Sequence, residues 1–558
     1  MLCENAAQSN DYFEFIGEYS GVLDYVKEEF NTECITVIDQ RFAIAYVKKN
    51  GRTSIYGQNY PYNTIPRCFG LMDTQMLEDV GVAQVRRSVL DLYGNGVLVG
   101  MIDTGIDYEH PAFRYEDGSS KIYSLWDQTI EGDSEDTFLG YGTEYTKEQI
   151  EEALKSDVPQ QKVPSKDESG HGTFLAGLIA GNEDNETGFS GIAPNAGLIV
   201  VKLRKAKDYL KEYYCIDPKY EAYAETDIML AVHYIDHIAE QLQRPIVIFL
   251  GIGTNLASHL GTGPLDQYLS GRAMLRGVAV VTSAGNEGQA RHHYSGQVSQ
   301  NDAKVEVKVG ESEYGFTMEL WGLAPNRYYV DIESPSGQKT GRIQGGLSGQ
   351  RYVTFLLEKT RLIVEYFTVD TSAGAPVIVM RFQNPAPGIW NIYVSDDGVG
   401  NREFDLWLPI TNFISEDTFF LESTPYNTLV GPSNTGLLIS CGSYNSNTGS
   451  LAIDSSRGFP RNAVKPDFTA PGVEILGPLP RKRYGRKSGT SVSGAITAGI
   501  AALMLEWGIM QKNDMQINTT RIKNYLIRGA RRDPERIYPN REWGYGQVDL
   551  YETFLGIR

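Results

Sequence analysis

The sequence predicts an α/β chain, a parallel sheet with helices on both faces, joined to a small α+β module at the start and interrupted late by a β-sandwich. Three observations carry this. Short, wholly apolar runs alternate with helical stretches from residue 97 to about 290, the texture of strands covered on both faces. Period-two segments broken by Gly, Pro and Asn fill about 297 to 425, which is how sandwich strands read. Helical, small-residue patterning then resumes.

The elements follow in order. Residues 11 to about 72 combine YSGVLDYVKEEF, apolar at helical spacing, with ITVIDQRFAIAYVKK, which alternates like two short strands. The Pro- and Gly-containing stretch NYPYNTIPRCFGLMD then reads as an exposed connection. Strands are expected at Gly96–Ile102, Leu198–Val201, Ile246–Leu250 and Val278–Val281. Between them, Thr226 to Leu242 reads as a crossover helix, with Thr226 as N-cap and Ile228, Ala231, Ile235 and Ile238 near one face. KVEVKV, YYVDIES, TRLIVEYFTV, VIVMRF and WNIYVSD supply sandwich strands, and LLISCG returns the chain to the α/β texture before a helix starting near Ser491. The units expected are 1–73, 74–296, 297–425 and 426–558, with no internal repeat.

Composition narrows the function. A net charge of -19 disfavours nucleic acid, because phosphate binding needs clustered Lys and Arg. A protein or peptide partner is the better expectation. The N-terminus shows no basic-then-apolar signal peptide, and no uninterrupted apolar run has the length of a membrane span. Cys3, Cys34, Cys68, Cys215 and Cys441 are odd in number and widely spaced, and so read as free thiols made in a reducing, intracellular compartment.

Three segments carry candidate chemistry. In MIDTGID, Asp103 falls at the carboxyl end of an apolar strand, the edge where α/β sheets gather ligand chemistry. In GHGTFLAG, His171 stands between two glycines at a helix start. In SGTSVSGA, Ser491 sits at a helix N-terminus, where the macrodipole favours developing negative charge. A serine hydroxyl becomes a nucleophile when an imidazole takes its proton, and a buried carboxylate best holds that imidazole. Taken singly, each of the three is more often structural: a turn residue, a structural histidine or a helix cap.

Together, IDTGID, GHGTFLAG and SGTSVSGA resemble the three signature motifs of the subtilase family, in that family's Asp, His, Ser order. The resemblance implies Ser491 as nucleophile, His171 as general base and Asp103 as its orienting carboxylate. TSAGNEG is similar to the family's oxyanion segment, which implies Asn286 as one donor and the Ser491 N–H as the other. FLGIG resembles the substrate-binding strand, implying that Leu250 and Gly251 pair with an extended peptide and that Ala284 and Gly285 line the mouth of the pocket for the residue before the scissile bond. Phe249 stands where the family usually has Ser. Ala112, in HPAF, replaces the carboxylate of the family's calcium site, so neither metal nor cofactor is expected.

The acidic loops Glu131–Asp136 and Asn182–Glu186 read as solvated surface, and the pair His292 and His293 likewise. Arg481, Lys482, Arg483, Arg486 and Lys487 lie just before the serine motif and read as a solvated loop, with steering of an acidic substrate or clamping of an N-terminal segment as the functional alternatives.

The chain as a whole resembles the Csp germination proteases of spore-forming Clostridia. That implies that residues 1–73 form a prodomain, chaperone and inhibitor, cut within Leu71–Gln75. It further implies that the sandwich is an inserted jelly roll, that the protein works in a spore compartment, and that the substrate is a protein zymogen such as a spore cortex-lytic enzyme. A catalytically silent subtilase scaffold and a general intracellular subtilase are the alternatives.

Overall fold

The structure is a computed structural model that describes residues 6–52, 54–55, 60–71, 80–132, 137–184, 186–343, 348–461 and 463–557. Its centre is a nine-stranded mixed sheet. Leu98–Asp103 lies in the middle, parallel to Gly197–Lys202 on one side and Ile246–Leu250 on the other. Val278–Ser283, Ile439–Asn445 and Phe468–Pro471 extend the sheet in parallel beyond Ile246–Leu250. Ile122–Asp127 extends it past Gly197–Lys202, and Thr143–Thr146 closes that edge antiparallel.

Strand pleating sends alternate side chains to opposite faces. Val99 and Met101 therefore meet the helices His171–Ala180 and Thr490–Leu505 through Phe174, Leu175, Val492 and Ile496. Leu98 and Ile102 meet Glu225–Leu242 and Pro264–Ala273 through Ile228, Ile235, Leu265 and Leu269. The predicted strands are present with ends shifted by one or two residues. The 21-residue stretch Thr490–Met510 contains an 18-residue window of mean hydropathy 1.5, apolar enough to cross a membrane, but 94% of that window is buried within the protein. It is hydrophobic all round because the core surrounds it.

One expected helix start moves. The crossover helix begins at Glu225 with Ala224 as N-cap, not at Thr226. Tyr223–Ala224 is held extended by pairing with Cys68–Phe69, so the helix starts directly after it. Thr226 then lies inside the helix, and its hydroxyl donates to Glu14 Oε2 at 2.9 Å.

At the N-terminus, Tyr12–Glu18, Phe42–Lys48 and Ile35–Val37 form an antiparallel sheet backed by the helix Asp24–Phe30. Phe42, Ile44 and Tyr46 join the core beneath the crossover helix. Buried Glu14 reaches Arg204 at 2.5 Å and Lys207 at 2.7 Å. Cys34 is disulfide-bonded, whereas Cys68, Cys215 and Cys441 are buried thiols outside any disulfide. The reading of every cysteine as a free thiol is therefore corrected at Cys34, where a bond made in space leaves no spacing signal in the chain.

Between His293 and Phe420 two antiparallel sheets stack. One runs in the order 293–297, 403–407, 315–322, 377–383, 360–367 and 348–355, the other 328–333, 388–396, 303–309 and 419–420. Val305, Val307 and Trp390 from one sheet share a core with Met318, Leu320 and Met380 from the other. This is the face-to-face packing expected of period-two strands with one apolar face each.

Candidate active site

Asp103 ends the central strand with only 1% of its surface exposed, and His171 opens the helix that packs above it. His171 Nδ1 lies 2.8 Å from Asp103 Oδ1. The carboxylate accepts from Nδ1–H, which leaves Nε2 as the nitrogen able to take a proton. The same Oδ1 accepts from Thr104 N–H at 2.8 Å. Two glycines allow this approach. A β-carbon at Gly172 would lie 2.1 Å from the Gly105 carbonyl oxygen and 3.2 Å from Asp103 Oδ1, and one at Gly251 would lie 2.9 Å from Leu175 and 3.4 Å from Asp103 Oδ2.

A second carboxylate, absent from the sequence reading, fixes the histidine loop. Asp167 is buried and accepts from Gly170 N–H (2.8 Å), Thr173 N–H (2.8 Å), Thr173 Oγ1 (2.6 Å) and Thr104 Oγ1 (2.7 Å). Burial raises its pKa, and the hydrogen bonds from Thr173 and Thr104 oppose that rise. Its signal in the sequence was an Asp just before a helix start, the pattern of a capping residue.

Ser491 is buried in the first turn of the helix Thr490–Leu505, whose N-cap Gly489 has φ 142°, a conformation open to glycine. Asn286 Oδ1 accepts from Thr490 N–H at 2.9 Å and from Thr490 Oγ1 at 3.1 Å, while Gly285 N–H donates to Thr490 Oγ1 at 3.0 Å. The segment Gly285–Asn286 is thus locked to the residue beside Ser491, and the Asn286 Nδ2 donors lie on the other side of its amide. His171, Asn286, Gly253, Val430 and Lys487 line one cavity of about 510 Å³.

The other residues read from sequence have distinct places. The Leu250 side chain is wholly buried in the core, and its backbone lies in register with Thr282 on one side and Ile102 on the other within the central sheet. The Ala284 backbone is engaged inside the protein, its N–H to Cys441 and its carbonyl from Val430 N–H, both at 3.0 Å. Phe249 is buried against Gly494 of the serine helix, a packing role. Ile252–Gly253 continues past Gly251 as a strand paired antiparallel with Leu71 and Gly70, and Cys68–Leu71 pairs on its other side with Tyr223–Ala224. The expected cleavage stretch Leu71–Gln75 otherwise lies outside the described residues.

His292 and His293 are not surface residues. Both are buried: His292 Nδ1 meets Glu287 Oε2 at 2.7 Å, and His293 Nε2 meets Asp405 Oδ1 at 3.1 Å. The adjacent rings do point apart. Trp407 stacks with both the His293 and the His259 rings, with centroids at 4.6 and 4.1 Å. Burial pushes His259 down to about 3, so it packs as a neutral ring. Glu287 also accepts from Thr411 N–H at 3.0 Å, tying the stacked sheets' exit to the oxyanion segment, a contact for which the sequence carries no signal. Among the described residues no group of three or more His, Cys, Asp or Glu is placed to hold a metal ion.

A profile of the subtilase family matches residues 94–311 and 399–546. This chain belongs to the subtilase family. The two matched stretches flank most of the stacked sheets, the part of this subtilase that the family profile lacks. In sequence it is 22% identical over 505 residues to C5a peptidase of Streptococcus pyogenes serotype M1, covering 82% of this chain and 39% of that one. It is 23% identical over 206 residues to subtilisin E of Bacillus subtilis, covering 36% of this chain and 38% of that one. The subtilase thus spans about two-fifths of the length of these curated relatives. In structure it superposes on the CspB protease of Clostridium perfringens with a TM-score of 0.76 and 30% identity, covering 85% of this chain and 97% of that one.

Proposed function

We propose that this subtilase is a serine endopeptidase in which Ser491 attacks the peptide carbonyl, His171 Nε2 takes and returns the proton, Asp103 holds the imidazole, and Asn286 with the Ser491 N–H receives the oxyanion. One arrangement carries the reading: the Asp103–His171 hydrogen bond opens on a cavity shared with Asn286, which is itself bonded to Thr490 beside Ser491. Residues 1–73 act as a prodomain removed by the enzyme itself, and the stacked sheets form an inserted jelly roll. What supports the first is the pairing of Cys68–Leu71 with both strands that border the cleft, the path an extended substrate would follow. Activation of a protein zymogen as the biological task is supported by the likeness to the clostridial Csp proteases.

The test is a fluorophosphonate probe on folded protein together with a peptide library read by mass spectrometry. Labelling at Ser491 and discrete cuts, both lost in Ser491→Ala, are expected. A folded, unlabelled protein that cuts nothing would make the chain a silent scaffold.

A further inference from the structure

The basic cluster ahead of the serine motif is a structured element. Ile475–Leu479 and Arg483–Lys487 pair as an antiparallel hairpin that runs directly into the serine helix. Its fixed side lies against the histidine helix: Gly477 meets Phe174, Pro478 covers Gly177, and Pro480 covers Gly170. Arg481, Lys482, Arg483 and Arg486 are exposed, and Lys487 is half-buried. Arg481 and Lys482 form the turn with φ 67° and 56°. Tight hairpin turns of this hand favour Asn and Gly, so two long cations stand where smaller residues fold more easily.

None of these five cations forms an ion pair with a carboxylate among the described residues. Arg483 Nε and Arg486 Nη1 donate to the carbonyls of Pro480 and Glu474. Four carboxylates, Asp107, Glu109, Asp167 and Glu168, line the adjoining cavity and keep their charge, each with a partner of its own, Glu109 accepting from Gln160 Nε2 at 3.1 Å. Asp107 accepts from the backbone N–H groups of Arg481 and Glu109, Asp167 holds the histidine loop, and Glu168 pairs with Lys202 at 3.2 Å. The hairpin therefore faces solvent with an excess of positive charge on a protein of net charge -19.

Its place along the cleft follows from chain direction. Cys68–Leu71 pairs antiparallel with Ile252–Gly253, with Leu71 at the end nearer Gly251 and Asp103. A polypeptide in that groove reaches the reacting groups from the Tyr223 side and leaves beyond His171. Ser169 lines three cavities in turn: one with Tyr223, one with His171 and Asn286, and one of about 860 Å³ with Arg481, Lys482 and Arg483. Lys487 lines the cavity that holds His171 and Asn286.

We propose that this hairpin is the binding wall for the residues that follow the scissile bond, and that it selects substrates acidic at those positions. The inference rests on the peptidase reading and names a substrate class for the same site. Rim charges act mainly on encounter and on KM, and salt screens them over about 8 Å at physiological ionic strength.

The experiment uses a library peptide that the full-length protein cuts, resynthesised with Asp-Glu, Ser-Ser or Lys-Lys at the second and third positions after the cut. At low salt kcat/KM is expected to be about tenfold higher for the acidic peptide than for the neutral one, and lowest for the basic one, the gap closing by 0.5 M NaCl. The double variant Lys482→Glu, Arg483→Glu should reverse the order. Equal rates for the three peptides, or a preference indifferent to salt in the unaltered protein, would overturn the proposal and leave the peptidase reading standing. No cleavage of any peptide, with no labelling of Ser491, would overturn both.

Discussion

Asp103 and His171 meet through one nitrogen, and the residues around them decide how firmly. Asp167 is the firmest of these supports, a buried acceptor for four donors that acts through the histidine loop and not on substrate. Asp167→Asn turns an amide toward those donors. It is expected to lower kcat by about 10- to 100-fold with KM within twofold, the split of a group felt only in the transition state. A matched rise in KM would mean that it shapes the cleft instead. Asn286→Ala should cost about 10²- to 10³-fold in kcat, the usual loss of an oxyanion donor. Steady-state kinetics on one cut peptide measures both.

At the scale of elements, the histidine helix is pinned at its first turn by a contact that tolerates no side chain. Gly172→Ala drives a methyl into the Gly105 carbonyl and toward Asp103. It should cost about 1–3 kcal/mol, the range for an overpacked site, and reduce kcat more than tenfold because the same shift parts His171 from Asp103. Urea titration and kcat on the same preparation check both effects. A variant that lost stability but kept full kcat would show that the helix start relaxes without moving the imidazole.

Across the whole molecule, buried charges hold the outer units to the central sheet. Burial raises the Glu14 carboxyl, but Lys207 and Arg204 outweigh it and hold it at about 2. Glu14→Ala leaves Lys207 buried without its carboxylate and Arg204 with Asp227 alone, a change worth about 3–5 kcal/mol. Limited proteolysis should then cut the first 52 residues faster than in the unaltered protein. Asp405 plays the same part where the stacked sheets meet the core. Burial raises it, and His293 and Arg461 bring it down to about 2, below its ordinary 3.8. A lowered carboxyl contributes stability in full above 3.8 and loses it as the pH falls toward 2. The urea midpoint, followed by tryptophan fluorescence, should therefore drop between pH 4 and 2, and Asp405→Asn should remove about 2 kcal/mol of that drop.

Local chemistry made much of this protein legible in the chain. Apolar runs marked the strands of the central sheet because strands covered on both faces must be apolar throughout, and period two marked the stacked sheets because each has one wet face. Asp103, His171, Ser491 and Asn286 were readable because their neighbours, a strand end, paired glycines and a helix start, are themselves local features. The bond from Thr104 to Asp167, the bond from Thr411 to Glu287 and the stacking of Trp407 on His259 were decided by the tertiary structure alone. Each depends on groups far apart in sequence, and burial sets whether a polar side chain must find a partner. The basic run shows the division most directly: its charge is written in the sequence, but only folding sets it as a hairpin wall beside the cleft.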